Sequence, residues 1–430
     1  MRFRRKLVPI LSKLGLLPYA LAIFLKIRNF QTHIESTSHE HMVRFTPKGH
    51  QKRILMDISS LVAKDHGGGI QRFQRSIIEQ WSTNFPEDFE IYPIYFSFEE
   101  KVFKYFNPTQ LNSSSLNETI SEEIVEMSSG DIYFNTDLNY RFTSEYRNFF
   151  RFLHERDVNI YFMIYDLLPL TMPKAFPLGI SELHSNWIEV AFSESHLICI
   201  SNTVMKECLE LGTSRKMPMR ATSITLGHNN VNHLKSMKSM EIDYSPTKRI
   251  RFLVVSTIEV RKSHQLILDA FEILWKQGVE IDLTFVGRPG WKVDELLLRM
   301  KNHHLLDQKF FWFSNLTDYE LDREYQNSTV LINASLGEGF GLPIVEASAH
   351  GIPLILRDIP IFREVAGDDP WYFQTSDPLE FSQEVKNWIQ NYIDGRIIVG
   401  KNLNLSTWQD TSNQIIEVFK RNARIVSNTE

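Results

Sequence analysis

The stretch 329–358, TVLINASLGEGFGLPIVEASAHGIPLILRD, leaves a chain like this few choices of fold. An apolar run, Val330-Leu331-Ile332, stops at a glycine-punctuated loop, Gly337-Glu338-Gly339-Phe340-Gly341. A helix then starts at Pro343, whose missing N–H costs nothing in a first turn. Ile344, Val345, Ala347, Ser348 and Ala349 continue it, and Gly351 reads as its C-terminal stop. A second apolar run, Ile352 to Leu356, follows. Strand, glycine loop, helix and strand in this order make one unit of a parallel α/β layer. Glu338 lies in the loop at the carboxyl end of the first strand, and Glu346 about one turn into the helix. Both carboxylates should border the crevice where open α/β sheets bind ligands.

The same alternation runs through the rest of the chain. In the first half, strand signals stand at Arg53–Asp57, Phe89–Phe96, Ile132–Phe134, Ile160–Tyr165 and Leu197–Ile200. A second glycine loop, Gly67-Gly68-Gly69, precedes a helix in which Ile70, Phe73, Ile77, Ile78 and Trp81 share one face. In the second half, strands are expected at Arg251–Ser256, Leu283–Gly287 and Phe310–Phe313. Helices are expected at Ser263–Gln277, Trp291–His303, Asp318–Tyr325, Glu380–Tyr392 and Asn413–Ala423. At 430 residues the chain is too long for one ordinary core. Two doubly wound Rossmann-like domains facing across a cleft are expected. The boundaries are 1–50 for an N-terminal segment with a polar linker, 51–227 for the first domain, and 228–248 for the interdomain linker. The second domain is 249–405, and 406–430 is a C-terminal helix free to pack back on the first domain.

Oriented N–H groups at a helix start favour phosphate, and glycine lets a backbone approach closely. Gly68 and Gly69 in one half and Gly337–Gly341 in the other are therefore candidate phosphate or sugar cradles, against the bland reading of ordinary turns. Arg261-Lys262 follow the strand Arg251–Ser256 by a few residues, on the same carboxyl-end rim. A fixed Arg-Lys pair can stabilise a leaving diphosphate without a metal. The competing reading is a solvated pair with no role. Metal ligation is not expected: the chain has no Asp-x-Asp, and Asp368-Asp369 are adjacent. No G-x-S-x-G occurs, so a serine hydrolase finds no support. A dinucleotide site is the rival for the opening stretch, with Asp358 placed as a ribose acid. Leu342, however, stands where its fingerprint needs the last glycine.

Net charge is −5, which disfavours a nucleic-acid partner. The two cysteines, Cys199 and Cys208, read as reduced thiols of a cytosolic protein. The N-terminus departs from this average. Arg2, Arg4, Arg5, Lys6, Lys13, Lys26 and Arg28 flank and interrupt the apolar run 7–27. A signal peptide is split by Lys13, and a spanning helix is broken by Lys13, Gly15 and Pro18. A segment lying in a membrane surface through residues 1–30 fits best, with a buried helix or an unstructured tail as the alternatives.

With these residues in hand, the chain resembles the family 4 retaining glycosyltransferases of GT-B architecture, and among them bacterial mannosyltransferases of O-antigen and capsule assembly. The resemblance covers roughly residues 53–420. It is strongest in SLGEGFGLPIVEASAHGIPLILRDIPIFREVAGD, STIEVRKSHQLILDAFEILW and FVGRPGW, and it extends to GGGIQRF and YDLLPLTMPKAFP. It implies that Arg261 and Lys262 hold a donor diphosphate, that Glu346 binds the nucleotide ribose, and that Glu338 stands beside the transferred sugar. It implies that the backbone of Phe340, Gly341 and Leu342 touches sugar and phosphate, that Gly68 and Gly69 close on the phosphates, and that Gly287 and Arg288 lie on the nucleotide rim. Asp166 is implied at the acceptor or sugar. Tyr165 departs from the pattern, because many relatives carry His before that Asp. The resemblance further implies a nucleotide-sugar donor, GDP-mannose first, with no cofactor and no metal. The acceptor would be a glycan or lipid-linked oligosaccharide, and the place the cytoplasm, at the cytoplasmic face of the inner membrane. The alternatives are an inactive GT-B partner subunit of a glycan-assembly complex and a GT-B nucleotide-sugar epimerase.

Overall fold

The computed structural model describes residues 41–46, 51–63, 65, 67–84, 86–107, 123–140, 146–228, 249–398 and 406–427. The basic segment 1–30, the linker from 229 to 248 and most of the Asn/Ser/Thr-rich stretch 107–121 lie outside them. Contacts divide the chain into Met1–Met42 and a large unit, Val43–Glu430. Of the first unit, the described residues are His41 and Met42.

Among the described residues, fifteen strands, labelled β1–β15, make up the sheets of the large unit. β1 (Arg44–Phe45) pairs with β5 (Glu126–Met127) in a two-stranded edge piece. The first large sheet holds β2 (Arg53–Asp57), β3 (Glu90–Ser97), β4 (Val102–Tyr105), β6 (Ile132–Asn135), β7 (Asn159–Ile164), β8 (His196–Cys199) and β9 (Arg220–Ser223). Its order is β4-β3-β2-β6-β7-β8-β9, parallel throughout except for the hairpin β3–β4. The second sheet holds β10 (Ile250–Val255), β11 (Ile281–Val286), β12 (Phe310–Phe313), β13 (Val330–Asn333), β14 (Leu354–Arg357) and β15 (Trp371–Phe373). Its order is β12-β11-β10-β13-β14-β15, all parallel. β10, β11 and β13 are buried almost throughout, because helices cover both faces of a parallel sheet.

In the second sheet the chain winds outward from β10 to β12, then returns to β13 beside β10 and winds the other way. β10 pairs with β13 through Phe252–Val330 and Leu253–Leu331. The loops leaving these two strands therefore emerge side by side at a switch point, where α/β sheets bind ligands. One loop carries Arg261 and Lys262, and the other carries Glu338 and leads into the helix that bears Glu346. The first sheet has its own switch point between β2 and β6.

Several segments differ from the sequence expectation, among them two helices and two edge strands. The helix expected from Trp291 begins at Asp294. Lys292 is left-handed (φ +59°), which turns the chain, and Trp291 Nε1 instead donates to Ala175 O at 2.9 Å. The C-terminal helix expected from Asn413 runs Trp408–Ser427. Thr407 and Asp410 start it, the Thr407 N–H reaching Asp410 Oδ2 at 2.8 Å and the Asp410 N–H reaching Thr407 Oγ1 at 3.1 Å. This helix packs on the first sheet's lobe, with the Phe419 ring 4.6 Å from Tyr161 and 5.3 Å from Phe134. The hairpin strand β4 and the edge strand β9, absent from the sequence reading, lie at the two edges of the first sheet.

Candidate active site

The glycine loop after β13 presses against the first lobe. A Cβ on Gly339 would stand 1.9 Å from Tyr165 O, so no other residue fits without moving backbone. The Ser201 hydroxyl donates to Gly339 O at 3.0 Å. Gly341 has φ +98°, a left-handed conformation that starts the helix Leu342–Ala349. That helix carries Glu346. Farther along the seam, Glu364 accepts from the N–H groups of Asn202 and Thr203, both at 2.7 Å, at the start of the helix Asn202–Arg215.

Arg261 and Lys262 sit in a short 3-10 turn, Val260–Lys262. Ser263 follows with φ +57°, an uncommon conformation for a non-glycine residue, and the helix His264–Lys276 begins there. The turn projects both cations toward the second loop. Lys262 Nζ forms an ion pair with Glu338. Arg261 Nη1 lies 3.3 Å from Glu338 Oε2 and donates to Gly337 O at 3.1 Å. The Ser335 hydroxyl adds a bond to Glu338 Oε1 at 2.7 Å. Lys262 and Glu338 are each 11% exposed, so this pair is shielded but reachable from the cleft.

Burial works to raise the Glu338 carboxyl, but Lys262 and Arg261 override it and hold Glu338 at about 2. Burial lowers Lys262, offset in part by Glu338. Glu259 lies 3.1 Å from Arg261 Nε, and burial raises its carboxyl against the pull of Arg261. Asp166, after β7 of the first lobe, is also raised by burial and feels Arg261, Glu338 and Lys262. Its Oδ1 accepts the Leu168 N–H at 3.0 Å. Asp166 thus joins the Arg261–Lys262–Glu338 cluster from across the cleft. Tyr165 turns away from it: its hydroxyl donates to Thr136 O at 2.8 Å and its ring packs on Phe73. An imidazole does stand near this region on another element. His184 Nδ1 lies 3.2 Å from the Tyr140 hydroxyl, and burial lowers the ring to about 4, which keeps it neutral.

Glu346 forms an ion pair with Arg72 of the first lobe and accepts the Tyr325 hydroxyl at 2.7 Å. Burial and Glu346 together raise Tyr325 well above its ordinary value, so it stays a donor. Gly69 comes within reach of Leu342: a Cβ there would stand 3.8 Å from Leu342 Cδ1. The start of the helix Gly69–Thr83 therefore faces the Phe340–Leu342 segment across the cleft. Gly287 packs on the end of β10, where a Cβ would meet Ser256 O at 1.8 Å. Arg288 beside it is exposed, with Nη2 donating to Asn315 at 3.1 Å.

Arg72, Tyr325, Glu259, Ser335 and His184 escaped the sequence reading. Arg72 had a usable signal, since it stands one helical turn after the glycine loop in GGGIQR. Glu259 and Ser335 stand within three residues of Arg261 and Glu338, a local signal as well, whereas Tyr325 and His184 meet their partners through tertiary packing that spacing cannot reveal. Among the described residues, no group of three or more His, Cys, Asp or Glu side chains could hold a metal ion. No helix among them is long and apolar enough to cross a membrane.

Residues 238–402 match the model of the family described as glycosyl transferases group 1. The chain carries a group 1 glycosyltransferase domain. It is 31% identical, over 86% of its length, to the serotype-specific mannosyltransferase WbdA of Escherichia coli, and covers 46% of that protein. It is 33% identical to the O-antigen chain mannosyltransferase RfbU of Salmonella typhimurium, over 45% of this chain and 50% of that one. The chain spans about half the length of the curated relatives it matches. Its fold is that of the two-lobed GT-B proteins. Sucrose-phosphate synthase from Thermosynechococcus elongatus aligns with TM-score 0.58 at 13% identity, over 86% of this chain and 98% of that one. Anabaena HepE, solved with UDP and glucose, aligns with TM-score 0.55 at 13% identity, over 88% and 100%. The group 1 domain contains the Arg261–Lys262 turn, the glycine loop and both glutamates.

Proposed function

We propose that this chain is a retaining, metal-independent glycosyltransferase. It moves a hexose, mannose from GDP-mannose, to a growing lipid-linked glycan of the bacterial surface. One observation carries the reading: Arg261, Lys262 and Glu338 converge at the switch point of the second sheet, with Asp166 of the opposite lobe facing them. The curated relatives WbdA and RfbU are mannosyltransferases, which supports the sugar, and HepE was solved with UDP, which supports a nucleotide-linked donor.

In this reading residues 249–405 bind the donor and 51–227 the acceptor. The linker is 228–248, and the helix within 406–430 returns to the acceptor domain. Glu346 takes the ribose hydroxyls, with Tyr325 fixing its orientation. Arg261 and Lys262 stabilise the diphosphate as charge develops on it. The backbone of Phe340, Gly341 and Leu342 and the loop Gly68–Gly69 line the phosphates and sugar, and Gly287 and Arg288 border the base. Glu338 and Asp166 stand at the transferred sugar and the acceptor. The acceptor hydroxyl attacks the anomeric carbon on the face from which the diphosphate departs. Its proton passes to the departing phosphate oxygen, so catalysis is positioning plus charge stabilisation. Glu338, ionised and ion-paired, is a poor general acid and serves the sugar by contact and charge. The enzyme works in the cytoplasm, and residues 1–30 hold it at the inner-membrane surface.

A calorimetric panel of GDP, UDP and dTDP tests the reading without knowledge of the acceptor. GDP should bind most tightly. Binding of none of the three by folded protein would overturn the donor site. Preference for UDP or dTDP would overturn GDP-mannose alone.

A further inference from the structure

The donor site has a charge shortfall. Arg261 and Lys262 stand among three carboxylates, Glu338, Glu259 and Asp166. Glu338 is ionised and engages both cations. With Glu338 ionised against both cations, at most one positive charge is left over there, fewer than the negative charges a diphosphate brings. Its charge needs a further cation within a few ångströms, because low-dielectric sites do not tolerate unmatched anions.

Arg72 brings a cation from the first lobe to the helix that follows the glycine loop. It is the fourth residue of the helix Gly69–Thr83, and its N–H bonds Gly68 O at 2.9 Å. The guanidinium reaches across the cleft to the second lobe. Its Nη1 forms an ion pair with Glu346, and its Nη2 lies 3.5 Å from Asp318 Oδ1. Asp318 is 89% exposed and holds the guanidinium weakly. Glu346 is the firm partner, and its other oxygen takes the Tyr325 hydroxyl at 2.7 Å. The carboxylate assigned to the ribose is thus held between a phenol and a guanidinium. Ribose hydroxyls that donate to it compete with Arg72 for the same lone pairs. The backbone just before Arg72 leaves room alongside. A Cβ on Gly67 would meet nothing within 4 Å, and one on Gly69 would meet Leu342 Cδ1 at 3.8 Å.

We propose that Arg72 is a phosphate-binding residue of the donor site, its guanidinium exchanging the Glu346 carboxylate for a diphosphate oxygen as the ribose engages Glu346. The proposal rests on the donor-site reading. One charge-assisted pair replaces another, so the lobes stay linked, now through the ligand. The anion is then gripped from both sides: by Arg261 and Lys262 on the second lobe, and by Arg72 on the first. Arg72 becomes the residue through which the acceptor domain senses that the donor is a nucleoside diphosphate and not a nucleoside.

Calorimetric titration of the full chain, Arg72→Ala and Arg72→Lys with GDP and with guanosine tests this. The panel's preferred base replaces guanine if it differs. Arg72→Ala should weaken the nucleoside diphosphate about tenfold or more, the worth of one charge-assisted bond. It should leave the nucleoside unchanged or slightly tighter, since Glu346 is released. Arg72→Lys, which keeps the charge and loses the fork, should fall between the two, and it carries the comparison if the alanine variant does not fold. Unchanged nucleoside diphosphate affinity in either folded variant overturns the role of Arg72 and leaves the donor site standing. So does a parallel loss of both ligands, which would mark Arg72 as a support for lobe position. If the unaltered chain binds no nucleoside diphosphate, the donor-site reading falls first and Arg72 with it.

Discussion

Arg261→Ala is the most informative single change, because its two consequences can be measured separately. Arg261 Nη1 lies 3.3 Å from Glu338 and 3.1 Å from Gly337 O, and Nε lies 3.1 Å from Glu259. Across 3.3 Å the Coulomb attraction is roughly 5 kcal/mol at an effective dielectric near 20, and desolvation returns much of it. Removing the cation leaves Glu338 with Lys262 and Ser335, so that carboxylate stays compensated. Glu259, 5% exposed, loses its ion-pair partner Arg261. The fold should lose roughly 1–3 kcal/mol, below the full cost of a stranded buried charge. The pH dependence has a definite sign. Burial already raises Glu259, and losing Arg261 raises it further. A carboxyl raised in the folded state stabilises the fold below its unfolded value and loses that as pH rises through its folded one. The gap between variant and parent should therefore be wider at pH 8 than at pH 5 in urea titrations. Function should respond by more. A lost donor to a developing anion costs roughly 2–4 kcal/mol of transition-state stabilisation, about 30- to 1,000-fold in kcat/KM. Calorimetry should register the ground-state part as weaker nucleoside diphosphate binding with nucleoside binding kept. A folded Arg261→Ala protein that binds the nucleoside diphosphate as tightly as the parent would refute the phosphate role.

Other residues give independent checks. Glu346→Gln should weaken both nucleoside and nucleoside diphosphate by about tenfold, since the ribose contact is common to them; loss of acceptor binding alone would contradict the ribose assignment. Asp137 is buried beside Asp57, which raises its carboxyl to about 7. It accepts the Ser60 N–H at 2.5 Å and also the Ser60 hydroxyl. Its stabilising effect is full below its unfolded value near 4 and disappears as pH rises through about 7. Urea midpoints should fall between pH 5 and 8, and Asp137→Asn should flatten that slope; an identical slope in the variant would reject the assignment. Gly339→Ala sets a Cβ 1.9 Å from Tyr165 O and should lower stability by roughly 1–3 kcal/mol while parting the lobes at the site. A variant with the parent's melting temperature and activity would mean that the lobes do not need this contact. Deleting residues 1–30 should move the protein from membrane to soluble fractions, and an unchanged distribution would discard the membrane-surface role.

The sequence alone determined the βα alternation, the two glycine loops, and the rim position of Arg261, Lys262, Glu338 and Glu346. These follow from local rules: hydrophobic period, Gly and Pro punctuation, and the carboxyl-end location of strand-to-helix loops. Boundaries set by tertiary contacts were not legible. Lys292 turns left-handed and delays a helix, and Trp291 leaves the expected helix to bond Ala175 across the seam. The pairing of β10 with β13 decides that two loops some 75 residues apart share one ion cluster. No spacing encodes that adjacency, because the two strands between them in sequence, β11 and β12, lie on the other side of β10, with β12 at the far edge of the sheet. Asp166 joins the cluster, and Arg72 meets Glu346, only because the lobes close at Gly339. Patterning specifies which side chains sit at strand ends, while strand order and lobe contact determine which of those ends meet. Long-range electrostatics is a property of that second choice, so Glu338 is held at about 2 by charges that the linear sequence leaves far away.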